Sequence, residues 1–295
     1  MAGCTGDSED TEAAKAELEQ AADYMEENVT MLEEFDKAVS QFSLESVPQF
    51  DHRSYKKNIE RARGHVDEAE AAAPDTYADA ISYYRSILKY QVEIGKANEL
   101  IQQYLECLAT VESLVSAERW EDMGNRHADC VDTLRDVESQ LETALERLDA
   151  IERQDLPENA QLEHDITAEN LTLAKDDLPP LFDFHEGFQL FLDGATAYFA
   201  AATSFENEDT AAAKRGFSRA EGRFADAVNI LEDLETTDNL PDGLRSTIID
   251  TKCFSSAMEE SAGHYYNAVE AYENRNESRY NNEIEAARSA LDSCE

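Results

Sequence analysis

TEAAKAELEQAADYMEENVTMLEEFDKAVSQF, residues 11–42, decides the fold class of this 295-residue chain. Its apolar residues Ala14, Leu18, Ala21, Met25, Leu32, Phe35, Val39 and Phe42 recur at spacings of four and three, and Asn28 fills the one gap. Such a heptad seam belongs to an amphipathic helix that packs along a partner helix. No stretch elsewhere alternates as a half-buried strand would.

Working outward, Pro48 stops the first helix and a short second one is expected over His52–Ala72. Pro74-Asp75-Thr76 opens a third, which carries Tyr77, Ile81, Tyr84, Leu88, Ile94, Ile101, Tyr104, Leu108 and Val111 on one side. Unbroken to Ser116, it would be on the order of 60 Å long. A turn near Glu118 leads into a helix with Val131, Leu134, Leu141, Leu145, Leu148 and Ile151, ended by Asp155-Leu156-Pro157. A polar helix is expected over Glu158–Lys175, and Pro179-Pro180 restarts the chain, since proline suits a first helical turn. Helices over Leu181–Phe205, Thr210–Leu234, Pro241–Tyr272 and Ser278–Ser293 complete it. The expectation is an all-α protein of about nine or ten helices in antiparallel hairpins, as an elongated bundle or an irregular helical-repeat array. By residue number, 1–10 read as an acidic N-terminal lead and 11–154 as N-terminal coiled-coil-like hairpins. A linker with a short helix follows over 155–180, and a pair of hairpins over 181–295.

The charge is lopsided. Lys and Arg number 25 against 65 Asp and Glu, a net charge of −40, while 42% of residues are apolar. That surface repels nucleic acid and anionic headgroups, so neither is expected as a partner of the body. Apolar residues at helical spacing argue against disorder. The composition resembles that of proteins from extremely halophilic archaea, which implies folding in molar salt, where the Debye length is about 3 Å. The longest nearly apolar stretch, Ala195 to Ala202, is far short of the roughly 20 residues of a membrane span.

The last two hairpins repeat at an offset of 67 residues. Ala195, Tyr198, Phe199 and Phe205-Glu206-Asn207 match Ala262, Tyr265, Tyr266 and Tyr272-Glu273-Asn274; Phe217, Ala220 and Phe224 match Ile284, Ala287 and Leu291. Small residues beside aromatics at helical spacing resemble tetratricopeptide-type repeats, although the usual 34-residue period is not met.

The chain opens Met1-Ala2-Gly3-Cys4, followed by the polar Thr5-Gly6-Asp7-Ser8-Glu9-Asp10. This resembles the lipobox of secreted lipoproteins, in which the cysteine becomes the N-terminus and carries lipid. The resemblance implies lipidation at Cys4, a place at the outer face of the cytoplasmic membrane, and a solvated tether over Asp7 to Glu12. Of five cysteines, four then remain. Facing residues of an antiparallel hairpin lie equally far from its turn. Cys107 and Cys130 have their midpoint at the expected Glu118 turn, and Cys253 and Cys294 have theirs near Asn274. Three pairings of four cysteines exist; this one would staple two hairpins in an oxidising compartment. Buried free thiols are the alternative. Asn28, Asn170 and Asn276 begin glycosylation sequons, though Asn28 cannot serve both seam and glycan.

Motifs for familiar chemistry are missing from the sequence. It has no nucleophile elbow, phosphate-binding glycine loop or dinucleotide fingerprint. None of the six histidines has a Glu three residues before it, as bundle di-iron sites require. His127 and Cys130 offer two ligands on one helical face, with no second such pair, so neither metal nor cofactor is expected. Tyr265 and Tyr266 beside His264, and Phe182-Asp183-Phe184-His185, serve either a core or a ligand groove. Trp120 beside its turn is a recognition residue or a cap on the hairpin's apolar end. The expected function is a non-enzymatic, lipid-anchored extracytoplasmic scaffold that binds a protein or peptide and touches the membrane through Cys4 alone. The alternatives are a cytoplasmic helical adaptor, or an extracytoplasmic ligand-binding component associated with a transporter.

Overall fold

A computed structural model describes residues 6–41, 46–116, 120–151, 167, 171–176, 178–237 and 242–294. It is all-helical over these residues. The helices are α1 (Gly6–Ser40), α2 (His52–Ala72), α3 (Ala78–Ser116), α4 (Trp120–Asp149), α5 (Leu178–Glu206), α6 (Thr210–Glu235), α7 (Asp242–Glu273) and α8 (Glu277–Leu291), followed by a 3₁₀ turn over Asp292–Cys294. Eight α-helices are bounded in this way, where nine or ten are expected from the sequence, and a further described segment is helical as well. The expected polar helix over 158–175 falls mostly outside the described residues, and 171–176 are helical.

The chain forms two compact units. The first holds residues up to Glu106 and Asp132–Leu178; the second holds Cys107–Val131 and Pro179–Glu295. The tip of the α3–α4 hairpin therefore groups with the C-terminal helices, which a contiguous division at 154 and 181 does not capture.

In the first unit the heptad seam of α1 is buried. Ala14, Leu18, Ala21, Met25 and Phe35 pack in one core with Tyr55, Ile59, Ala62, Val66 and Ala69 of α2 and Ile81 and Leu88 of α3; Leu32 and Val39 are partly covered. The Asp51 side chain caps α2 by accepting from the Ser54 N–H at 3.0 Å. One expectation needs correcting. Helix α1 begins at Gly6, ahead of the expected start at Thr11, so Asp7 to Glu12 lie in its first turns. Carboxylates there favour the positive end of the helix dipole, which accounts for the earlier start.

Asn28, in the seam's gap, is fully buried. Its Nδ2 donates to Gln91 Oε1 at 3.3 Å, Gln91 Nε2 donates to the Met25 carbonyl at 3.0 Å, and Tyr55 OH donates to the Gln91 carbonyl at 2.8 Å. A polar node in an otherwise apolar seam fixes the register of α1, α2 and α3, since a slip would strand these groups.

In the second unit the 67-residue repeat extends to the backbone. Glu208 and Arg275 both take positive φ, 63° and 56°. Asp209 N–H donates to the Ser204 carbonyl and Asn276 N–H to the Ala271 carbonyl, each at 2.9 Å. These six-to-one bonds close helices α5 and α7 in the same way. Asp209 and Asn276 then cap α6 and α8, accepting from the N–H groups of Ala212 and Arg279. Equivalent residues touch: the rings of Tyr198 and Tyr265 are 5.7 Å apart, and those of Phe205 and Tyr272 are 5.6 Å apart. The two hairpins stack copy on copy.

Close helix approach is set by glycine. A Cβ on Gly216 would lie 2.6 Å from Ala201 Cβ and 3.2 Å from its Cα, and one on Gly95 would overlap the Tyr55 ring. Gly64 and Gly222 have nothing within 4 Å. Replacing a helical Gly by Ala gains about 1 kcal/mol in propensity, while overpacking costs about 1–3 kcal/mol. Gly64→Ala and Gly222→Ala are therefore expected to raise the urea midpoint at fixed salt, and Gly95→Ala and Gly216→Ala to lower it. Four shifts of one sign would contradict this packing.

Candidate functional site

Both cysteine pairs expected from the hairpin turns are at disulfide-bonding distance. The Cα atoms of Cys107 and Cys130 are 5.5 Å apart, and those of Cys253 and Cys294 are 5.8 Å apart. The first pair joins α3 to α4 on either side of residues 117–119. The second ties α7 to the turn that follows α8. Cys4 lies outside the described residues.

Beside the first pair runs a chain of buried polar groups. His127 and His185 are each 2% exposed. Gln189 Nε2 donates to Asp193 Oδ1 at 2.9 Å, which turns its Oε1 toward His127 Nδ1 at 3.2 Å. His127 therefore carries its proton on Nδ1 and accepts at Nε2 from His185 Nδ1–H, 2.8 Å away. Adding a proton to His127 would set two N–H groups face to face. Burial first, and then the charge of a protonated His127, hold His185 down at about 3; burial also lowers His127, opposed by its bond to Gln189. The rings of Phe184 and Phe188 close over the pair. Cys130 is committed to Cys107, so His127 and Cys130 do not act together as ligands.

This pair gives the fold a defined acid sensitivity. An unfolded histidine takes up its proton near 6.5, whereas native His185 does so only at about 3. Between those values the unfolded chain binds the extra proton, so stability falls as pH falls. The slope is about 1.4 kcal/mol per pH unit for one such group. His185→Gln keeps a donor to His127 and removes the titration. Stability measured by urea at fixed salt is expected to fall less steeply between pH 6.5 and 5 in this variant. An identical slope would show that His185 is protonated when folded.

The expected recognition aromatics divide. Tyr265 belongs to the packing of α5, α6 and α7: its ring stacks on Phe217 at 5.3 Å and meets Tyr198 edge-on. Its side chain is half-buried within that packing. Tyr266 is half-buried with Lys214 Nζ 5.3 Å from its ring centre. The side chain of Trp120 lies outside the described residues. Phe199 of α5, the repeat counterpart of Tyr266, is 44% exposed.

The sequons divide as well. Asn28 is buried with its amide bonded to Gln91, so the folded chain has no room for a glycan there, and that expectation is corrected. Asn276 is exposed but its side chain caps α8. Asn170 lies outside the described residues.

A groove of about 430 Å³ between α1 and α2 is lined by Glu27, Thr30, Met31, Ser54, Lys57, Asn58 and Arg61. Asn58 Nδ2 donates across it to Glu27 at 3.1 Å. Its lining mixes the acid Glu27 with the cations Lys57 and Arg61.

Further along the same two helices, one ligand atom each from Glu17, His65 and Glu68 lie within 4.8 Å of one another. Sequence inspection missed this group because it sought Glu before His, whereas Glu68 follows His65 by three. The spacing was a usable signal, hidden among 65 acidic residues. No described helix is long and apolar enough to cross a membrane. No family model matches the sequence, and no curated protein or solved structure matches it.

Proposed function

We propose that this chain is a non-enzymatic scaffold held by lipid on Cys4 at the outer face of a cytoplasmic membrane, with stacked helical hairpins that bind a protein or peptide. The observation that carries the reading is the cysteine pattern. Four of five cysteines pair across hairpins at disulfide-bonding distance, which suits an oxidising compartment, and Cys4 is the one remaining. A lipid bearing two chains gives stable anchoring where one gives only marginal binding. The stacked copies over α5–α8 support assigning these hairpins to a tetratricopeptide-like array, an architecture whose exposed faces serve partner binding. The surface charge suits a halophile and steers binding toward partners other than nucleic acid.

The test is the mass of the Cys4 peptide in protein isolated from membranes of its native host. A lipid-sized increment, with Cys4→Ser protein released to the soluble fraction, is the expected result. An unmodified Cys4 together with four free thiols would sink the reading. Affinity capture at molar salt that recovers no partner across several growth conditions would remove the scaffold half of it.

A further inference from the structure

We infer that Glu17, His65 and Glu68 form a binding site for one divalent first-row transition-metal ion of the zinc type, clipping α1 to α2. His65 and Glu68 stand three residues apart on α2, so their side chains leave the same face. Glu17 meets them from α1, with its Oε2 2.6 Å from His65 Nδ1. Zinc bonds of about 2.0–2.1 Å place tetrahedral ligand atoms about 3.3 Å apart. The Glu17–His65 contact is shorter than that separation, and all three atoms lie within 4.8 Å of one another.

The imidazole is held for the task. The Tyr24 ring, also from α1, lies parallel to it at 14° with centroids 5.7 Å apart. Arg61, the cation one turn before His65 on α2, has its guanidinium 5.3 Å from the other partner of that stack, the Tyr24 ring. His65 and Glu17 side chains are 26% and 31% exposed, so their atoms are partly desolvated. Glu68 is exposed and leaves room for a water as fourth ligand. One imidazole nitrogen with two carboxylates selects zinc-like ions over magnesium and calcium, which prefer oxygen alone. On binding, His65 Nδ1 gives its lone pair to the ion in place of its contact with Glu17, the neutral imidazole keeps its single proton on Nε2, and no electron moves. The two carboxylates balance the ion's charge.

A second histidine with two glutamates supplies the internal contrast. His264 Nδ1 lies 2.7 Å from Glu283 and its Nε2 lies 3.8 Å from Glu260, but Arg279 Nε is 3.7 Å from the same Glu283. A guanidinium there already neutralises the cluster and repels a cation.

The site does not depend on lipid at Cys4, so it stands or falls separately from the proposed function. Metal-stripped full-length protein in molar chloride is titrated with zinc by calorimetry and with cobalt by visible absorption, in the presence of millimolar magnesium. One equivalent of zinc, a rise in Tm and a cobalt d–d band are expected. His65→Gln and Glu68→Gln are each expected to weaken binding at least tenfold, and His264→Gln to leave it unchanged. Glu68 is exposed, so its variant keeps the fold. Zinc that magnesium displaces, no saturable binding, or binding of wild-type strength in either site variant would overturn the proposal.

Discussion

Dialysed from molar to millimolar salt near neutral pH, the protein is expected to lose its helical circular dichroism in a cooperative transition. The cause is a net charge of −40 on 295 residues. Two like charges 10 Å apart in water repel by about 0.4 kcal/mol. A hundred such pairs would come to roughly 40 kcal/mol, and the unfolded chain would relieve much of it by spreading out. Even a quarter surviving as a folded-minus-unfolded difference matches a typical stability of about 5–15 kcal/mol. In molar salt a Debye length of about 3 Å removes most of this term; at 0.01 M the length is about 30 Å and little is removed. The repulsion is visible locally: Glu259 is raised above its ordinary value by burial and then by the neighbouring carboxylate of Glu221. Few cations offset it, and the pairs they form are mostly exposed ones such as Lys15–Glu19 and Arg135–Asp132, each worth little. If screening is the mechanism, sodium and potassium chloride act alike and the effect is nearly complete below about 1 M. A strong advantage of sulfate over chloride would instead point to apolar burial as the salt-sensitive term. Circular dichroism unchanged down to millimolar salt would sink the halophile reading.

What the sequence makes legible follows from the kind of information a helix carries. Apolar spacing reports which face of a helix is buried, so α1 was readable from Ala14 to Phe35, and the starts of α2, α6, α7 and α8 lie within a residue of expectation. The 67-residue offset was readable because both turns use one backbone recipe, at Glu208 and Arg275. Spacing does not report which helix a face meets. Gln91 for Asn28, His185 for His127 and Glu17 for His65 lie 63, 58 and 48 residues from their partners. Each depends on the rotation of one helix against another, which no local pattern encodes. His127 does fall on the stripe Met123, His127, Cys130, Leu134, so its burial was predictable while its partner was not. The cysteines are the exception, because a hairpin ties two distant positions to one turn and arithmetic on residue numbers recovers the pairing.

With both cysteine pairs reduced, the protein is expected to unfold under conditions in which the oxidised form is fully folded. Closing loops of 23 and 41 residues restricts the unfolded chain by about 3.4 and about 3.9 kcal/mol in the chain-entropy estimate. Together that is about 7 kcal/mol, comparable to the whole stability of an ordinary domain. The two pairs should differ in how the loss shows. Cys107 of α3 and Cys130 of α4 are both buried, and Cys130 lies on the stripe that carries Met123, His127 and Leu134, so Cys107→Ala with Cys130→Ala loosens the packing around the histidine pair as well as the hairpin. Cys294 sits in the 3₁₀ turn after α8, so Cys253→Ala with Cys294→Ala frees the end of that helix first. Hydrogen exchange should therefore accelerate at Ala287–Leu291 in the second variant before the rest of the chain responds. The urea midpoint in molar salt, with and without reductant, measures the total. An unchanged midpoint would mean that the native thiols are free, and a protein with four free thiols has no reason to be placed in an oxidising compartment. The stability measurement and the location thus rest on the same four sulfur atoms, and one reduction experiment tests both.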